Sequence, residues 1–600
     1  MEKWLIKSAE NNLADFGKTQ DEKILYRIIA NRGIDSKEEL KEFLNPSLSK
    51  MHSPELMKDL VKGAEILLDE VDNESKIRII GDYDVDGIMS TYILYKFISG
   101  INENTDYIIP HRILDGYGIN DNLVLDAIND GVNLILTVDN GISGFSAIEL
   151  AKENDIKVVV LDHHEPQISE DNNLQILPKA DAVVDPKRDD CEYPFKGLCG
   201  GAIAYKFVEF LSTILGFDEG EIVREYLEFA AIATVCDVMD LVGENRIIVS
   251  NGLKLLNNTS NLGLKTLFKT AQIEDKVLDP YHLGFIIGPL FNASGRLDTA
   301  YKGLELLLEE NVLRAKDLAE ELKNFNIERT RLTKEGLELF IKEIEGNKYQ
   351  EDNVIVAYVD GIHESIAGII AGRIKERYNK PTIILTQGEN FAKGSARSIE
   401  EYDITKGISY ERDLLTSFGG HKLAAGLSLD KENIEEFRKR LNENASLTKE
   451  DFQKKVYIDL GLPIDYVSLK LINSLEIIGP YGNKNPRPLF GTKNVYLSNI
   501  KLLGKNQNVV KLLIREQNTT LEGIMFSNLD KFKEDLEKIG KSLPNIMATR
   551  EEIEADIVYQ AKINEWNGNK NIQLNITNFR LKGGDDKWTK KLWQRNLLRM

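Results

Sequence analysis

Within the stretch GDYDVDG at 81–87, three carboxylates (Asp82, Asp84 and Asp86) alternate over five positions. The spacing fits the opening of a calcium-binding EF-hand loop, but loop position twelve, which must supply a bidentate glutamate, is Ile93. The residues just ahead, KIRII (76–80), are a short β-branched run that predicts a strand where a calcium hand needs a helix. A row of acids at the end of a buried strand calls for other chemistry.

The same arrangement recurs. Asp139 follows NLILTV (133–138), Asp162, His163 and His164 follow KVVVL (157–161), and Asp185 follows DAVV (181–184). Ligands of open α/β sheets bind outside the carboxyl ends of the strands, so these groups are predicted to converge on one edge. A single acid at a strand end is as readily a helix N-cap, and Asp185 is equally open to that role. Carboxylates crowded in a protected cleft must take up protons or cations. Oxygen donors mixed with imidazole suit manganese, and magnesium as well. Two such cations roughly 3.5–4 Å apart are the usual arrangement for phosphoester hydrolysis.

The elements that must position these groups are legible from periodicity. Residues 1–52 read as an amphipathic helical preface in which Asp35 or Ser36 could cap a helix. Strand and helix patterns alternate from about 76 to 240, which implies a parallel sheet with helices on its faces. Residues 225–241 (EYLEFAAIATVCDVMDL) predict a mostly buried helix, and a charged, Leu-rich stretch at about 300–345 predicts a connecting helix. NVIVAYVD (353–360) and PTIILTQ (381–387) open a smaller α/β unit, and past 450 short β-rich runs with Gly, Asn and Pro turns suggest a small barrel.

DYDVDG, VDNG and LDHH, in this order, resemble the first three motifs of the DHH phosphoesterase superfamily. ATVCDVMDL resembles the fourth, which would place Asp237 on a helix facing the metals, and SFGGHKLAAG (417–426) resembles the GGH signature of the DHH-associated domain. Within the superfamily the chain is similar to the RecJ family of single-strand-specific 5′→3′ exonucleases. FLNPSLSKMHSPELMKD, PHRILDGYGIN, NASGRLDTA, GIHESIAGIIAGRIKERYNKP, GSARSI and GPYGNKNPRPLF carry that likeness, from about 43 to 490. The resemblance implies a helical segment (1–52), a DHH catalytic domain (53–300), a connecting helix (301–345), a DHH-associated domain (346–447), an oligonucleotide-binding (OB) barrel (448–582) and a tail (583–600).

It also implies roles. Asp82, Asp84, Asp139, His163 and Asp237 would hold two divalent cations, Mn2+ or Mg2+. Asp86 and His164 would ligate, orient ligands or polarise the scissile phosphate, and Asp162 would orient its neighbours. Arg112, Arg296, Ser395 and Arg397 would handle phosphate, with Gly419, Gly420 and His421 near a terminal phosphate. His111 and His363 read as structural. In the barrel, Tyr481, Phe490, Tyr496 and Phe526 could stack bases, while Lys484, Arg487, Lys501 and Lys505 could follow phosphates. Trp588, Trp593, Arg595 and Arg599 of the tail match no motif.

The implied activity is metal-dependent 5′→3′ hydrolysis of single-stranded DNA to mononucleotides, in DNA repair and recombination. The implied partners are a strand with a free 5′ end, a RecQ-type helicase and single-strand-binding protein, with the enzyme itself a monomer. Composition is compatible. Three cysteines form no paired framework, and no run reaches about 18 apolar residues, so a cytoplasmic protein without membrane association is expected. Net charge is −20, yet residues 451–600 hold 24 Lys/Arg against 17 Asp/Glu, so the basic end stands apart from an acidic body. Two other readings compete: a DHH phosphodiesterase acting on short oligonucleotides or cyclic dinucleotides, and a catalytically silent replication-fork scaffold. The basic β module argues against the first, and the filled ligand positions argue against the second.

Overall fold

The computed structural model describes residues 2–8, 13–169, 174–388, 391–526, 528–566 and 569–582. The chain forms two compact units, one from residues 48–454 and the other from 1–47 together with 455–600. The tail tryptophans and arginines lie outside the described residues.

The first unit opens on a five-stranded, all-parallel sheet ordered Thr105–Ile108, Ile77–Ile80, Leu134–Val138, Lys157–Leu161, Ala182–Val184. The four predicted strands are present. The fifth, TDYI at the sheet edge, is too short and too polar to carry an apolar signal. Three of the four predicted strands are buried along their whole length and the fourth is buried from its second residue, as a sheet covered on both faces requires. On one face the helices Val85–Ile98, Gly200–Leu215 and Glu219–Cys236 pack into the largest apolar core. On the other, Asp121–Asn129 and Phe145–Glu153 cover a smaller one.

The predicted connecting helix is two helices. Tyr301–Leu308 ends, Glu309 turns extended (φ −75°, ψ 133°), and Asn311 then caps the 35-residue helix Val312–Gly346, accepting from the amides of Leu313 and Arg314. Beyond it lies a mixed sheet ordered Leu415–His421, Ala424–Leu429, Ala392–Arg397, Thr382–Gln387, Ile355–Tyr358, flanked by the helices Ala367–Tyr378 and Ile434–Asn444.

The second unit contains a barrel. Strands Phe490–Leu503, Val509–Glu516, Thr519–Met525, Asn569–Leu581 and Ile553–Trp566 pair in sequence, and the last returns to the first. The N-terminal segment departs from the expected helical preface. Lys3–Ile6 is a strand, paired in parallel with Lys455–Ile458. The helices Gln20–Ala30 and Lys37–Leu44, the latter capped by Ser36, bury their apolar stripes in the barrel's core. KWLI is four residues with a single charge, too short to show a period against the helical patterns that follow it.

Candidate metal and phosphate site

The strand-end groups converge as the sequence predicts. Asp84 is the N-cap of the helix Val85–Ile98, and its Oδ1 accepts from the amides of Asp86 (2.9 Å) and Gly87 (3.3 Å). The glycine is obligatory, because a Cβ at Gly87 would lie 2.4 Å from the carbonyl oxygen of Asp82. Asp86 is buried, and its two oxygens accept from the amides of Gly200 (2.8 Å) and Gly201 (2.7 Å). Those amides open the 16-residue helix Gly200–Leu215, where the helix dipole favours an anion. Asp139 sits in the left-handed region at φ +61°, uncommon for a residue with a side chain. His163 turns Nε2 toward three carboxylates: Asp139 at 3.0 Å, Asp86 at 3.6 Å and Asp237 at 3.8 Å. Asp237 is not within a helix. It caps the carboxyl end of Glu219–Cys236, and Val238 beyond it has φ +57°.

Three sets of these residues bring ligand atoms within 4.8 Å of one another: Asp82, Asp84 and Asp139; Asp86, His163 and Asp237; and Asp139, His163 and His164. Burial pushes the carboxyls of Asp82 and Asp139 well above the usual range; the surrounding carboxylates add to this at Asp139, while at Asp82 the charge of Asp84 adds to it and those of Arg112 and His164 oppose it. Burial raises Asp86 and Asp237 too. It lowers His163 to about 4, which keeps its imidazole neutral. Buried Asp82 Oδ1 and His163 Nδ1 have no hydrogen-bond partner among the described residues. Mutually repelling carboxylates, a neutral imidazole and an orphaned oxygen suit divalent cations, which would relieve the crowding that proteins otherwise meet by protonation.

Asp162 and His164 behave differently. Burial disfavours both charges, but their 2.8 Å contact overcomes it, holding Asp162 down at about 2 and His164 up at about 9. Asp162 also accepts from the amides of Ile142, His163 and His164, the orienting role expected of it. Asp185 is no helix cap: its Oδ1 accepts from the Lys187 amide in a local turn, and burial raises it to about 8.

Beside the cluster lies a cleft of about 710 Å³, lined by Arg112, Arg296, Ser395, Arg397 and Gly419 among others. Arg112 lies 4.6 Å over the ring of Tyr83, and Arg296 donates to the carbonyl of Ser365 (2.6 Å). Burial, reinforced by Arg112, lowers Arg296 to about 10 and lowers Arg397 as well. Three crowded guanidiniums disfavour one another and so favour an anion between them. Gly420 and His421 are not in this lining; they stand at the exposed tip of the hairpin 415–429. His111 and His363 accept from nearby backbone amides, as structural residues would.

The sequence reading missed Tyr83, Tyr117 and Lys393 in the cleft. The Tyr117 hydroxyl donates to the Asp139 carbonyl (2.8 Å) and lies 3.2 Å from the His164 ring. Tyr117 lies within PHRILDGYGIN, a stretch read from sequence for its family likeness and for Arg112, and no local pattern points to its contact across the fold. In the barrel, Phe490 is fully buried and Tyr481 packs on the core, so neither is free to stack a base. Arg487 is engaged with Glu476 and Tyr481. Tyr496, Phe526, Lys484, Lys501 and Lys505 remain exposed.

Three family models match the chain: DHH family, N-terminal domain (residues 76–234); DHHA1 domain (351–447); and RecJ OB domain (458–578). The single-stranded-DNA-specific exonuclease RecJ of Bacillus subtilis is 32% identical over 92% of this chain and 67% of its own length. The RecJ of Salmonella typhimurium is 31% identical over 92% of this chain and 95% of its own. The chain belongs to the RecJ family. The Thermus thermophilus RecJ crystal structures with Mn2+ and with Mg2+ superpose with TM-scores of 0.80 and 0.73. They share 26% and 25% identity, covering 96% of this chain and 79% and 78% of theirs. The RecJ family's architecture of DHH domain, DHHA1 domain and OB barrel is the one described above.

Proposed function

We propose that this protein is a metal-dependent, single-strand-specific DNA exonuclease that hydrolyses phosphodiesters from the 5′ end and releases mononucleotides. The observation that carries the reading is the cluster of Asp82, Asp84, Asp86, Asp139, His163 and Asp237 beside a cleft lined by three arginines. Asp82, Asp84, Asp139, His163 and Asp237 would hold two cations, Mn2+ or Mg2+. The chemistry such ions supply is neutralisation of charge developing at phosphorus and acidification of water. The protein's own part is positioning. Asp86, pinned by two helix amides, holds a fixed negative charge beside His163 and Asp237. His164, kept protonated by Asp162, can donate to a phosphate oxygen. Arg112, Arg296 and Arg397, with Ser395 and Gly419, would grip the terminal 5′ phosphate, which sets the polarity.

The relatives' names give a single-stranded-DNA-specific exonuclease and nothing of partners or compartment. Work in DNA repair and recombination in the cytoplasm, as a monomer beside a RecQ-type helicase and single-strand-binding protein, is part of the proposal and rests on the family resemblance alone. No helix among the described residues is long and apolar enough to cross a membrane. The test is digestion of end-labelled single strands with Mn2+. Asp84→Ala and Asp139→Ala should each lower turnover by at least about a hundredfold while strand binding persists. Near-normal turnover in either variant would overturn the assignment, and release from the 3′ end would overturn the polarity.

A further inference from the structure

Residues Pro280–Leu297 form one continuous helical run, with a π-helical segment at Leu283–Ile287 between two α-helical segments. One side of the run is anchored next to the metal cluster. The thiol of Cys236 donates to the Leu283 carbonyl (3.5 Å), and a Cβ at Gly288 would lie 2.8 Å from Cys236 Sγ. Cys236 directly precedes Asp237. A π turn in a helix commonly marks a functional position.

The accessible side of the run is unusual. Tyr281 and Phe285 are 59% and 72% exposed, and their rings stack with centroids 5.1 Å apart and planes inclined by 23°. Burial of aromatic rings is favourable, so a stacked pair held out to solvent marks a surface for a partner to cover. Farther along the run Pro289, Asn292 and Arg296 are half-buried. Arg296 lines the phosphate cleft. From Arg296 to Phe285 is roughly 16 Å along the axis, the span of a few nucleotides.

Next to the pair, His282 is paired with Asp279 at 2.7 Å, so no free cation on that turn invites a phosphate. The chemistry offered there is π-stacking. We propose that Tyr281 and Phe285 form a stacking platform for nucleobases of the bound single strand, a few nucleotides away from the phosphate held at Arg296. This rests on the exonuclease reading and adds to it a subsite that recognises bases irrespective of sequence, since every base offers a π-face.

The experiment uses the full-length protein with Ca2+ in place of Mn2+, and 5′-phosphorylated single strands of twelve nucleotides carrying 2-aminopurine at successive positions. Stacking should quench the probe at one or two adjacent internal positions. The Tyr281→Ala/Phe285→Ala variant should relieve that quenching and raise Kd about tenfold or more, as loss of stacked bases does. Phe285→Trp should restore both. With Mn2+, the double variant should hydrolyse a dinucleotide at the parent's rate, because a dinucleotide does not reach the platform. Unchanged quenching and Kd in the double variant would overturn the platform. So would unchanged strand binding with a lower oligomeric mass, which would make this face a protein contact. Failure of the parent itself to digest single strands would instead overturn the exonuclease reading, and this one with it.

Discussion

At the scale of single residues, the site is built by backbone amides and close contacts as much as by the acids themselves. Asp86 is spoken for by Gly200 and Gly201, and Gly200 admits no side chain because its Cβ would fall 2.7 Å from Asp139 Cβ. Gly200→Ala is therefore expected to displace Asp139 and lower turnover by tenfold or more. The same buried clash should lower the unfolding midpoint as well; turnover set against thermal melts checks both effects. Much of the cluster was legible from sequence because strand ends advertise themselves: Asp82, Asp139, His163 and Asp185 each follow a run of apolar residues. What the strand ends do not reveal is which acid serves which purpose. Asp185 ended in a turn, not a cap, and Tyr117 reaches Asp139 across the fold with no local signal.

At the scale of elements, the helix Glu219–Cys236 delivers Asp237 by its carboxyl end and carries a second buried acid in its middle. Glu228 is 3% exposed and accepts from the Thr259 hydroxyl (2.6 Å), and burial raises its carboxyl to about 7. A carboxyl raised on folding holds its proton longer in the native state than in the unfolded chain. Its contribution is present in full below the unfolded value near 4.5, is lost as pH climbs to about 7, and is flat above that. Glu228→Gln, which has no proton to lose, should remove this decline. The variant should exceed the parent at pH 8 by up to roughly 3 kcal/mol and lose that advantage near pH 4.5. Unfolding midpoints across pH 4.5–8 would decide it, and parallel curves for the two proteins would refute it. Element boundaries were the least legible level. The break at Glu309–Asn311 lies inside a stretch whose Leu and charge pattern continues across it, and only Asn311 hints at a new start.

At the scale of the whole molecule, the order of elements along the chain differs from their order in space. Besides the strand pairing of Lys3–Ile6, Glu2 takes hydrogen bonds from Lys531 (2.9 Å) and Asn578 (2.9 Å), and Arg580 lies 4.2 Å over the Trp4 ring. Arg32 donates to Asn485 (2.6 Å) and to the carbonyl of Pro486 (2.6 Å), inside the NKNPRP turn. Deleting residues 2–7 should therefore destabilise the barrel unit by about 2 kcal/mol, lowering its melting midpoint by several degrees. Turnover on a dinucleotide should stay close to that of the full chain; a melt unchanged by the deletion would show the strand to be dispensable. The same arrangement sets a timetable for synthesis. The first 47 residues leave the ribosome early but find their partners only after residues 48–454 have been made. At about 5–20 residues per second, that is a wait on the order of 20–80 seconds. During this interval the stripes of Gln20–Ala30 and Lys37–Leu44 have no core to enter, while the unit of residues 48–454 can already close. Residues 13–44 thus stay without their core until the barrel strands are made.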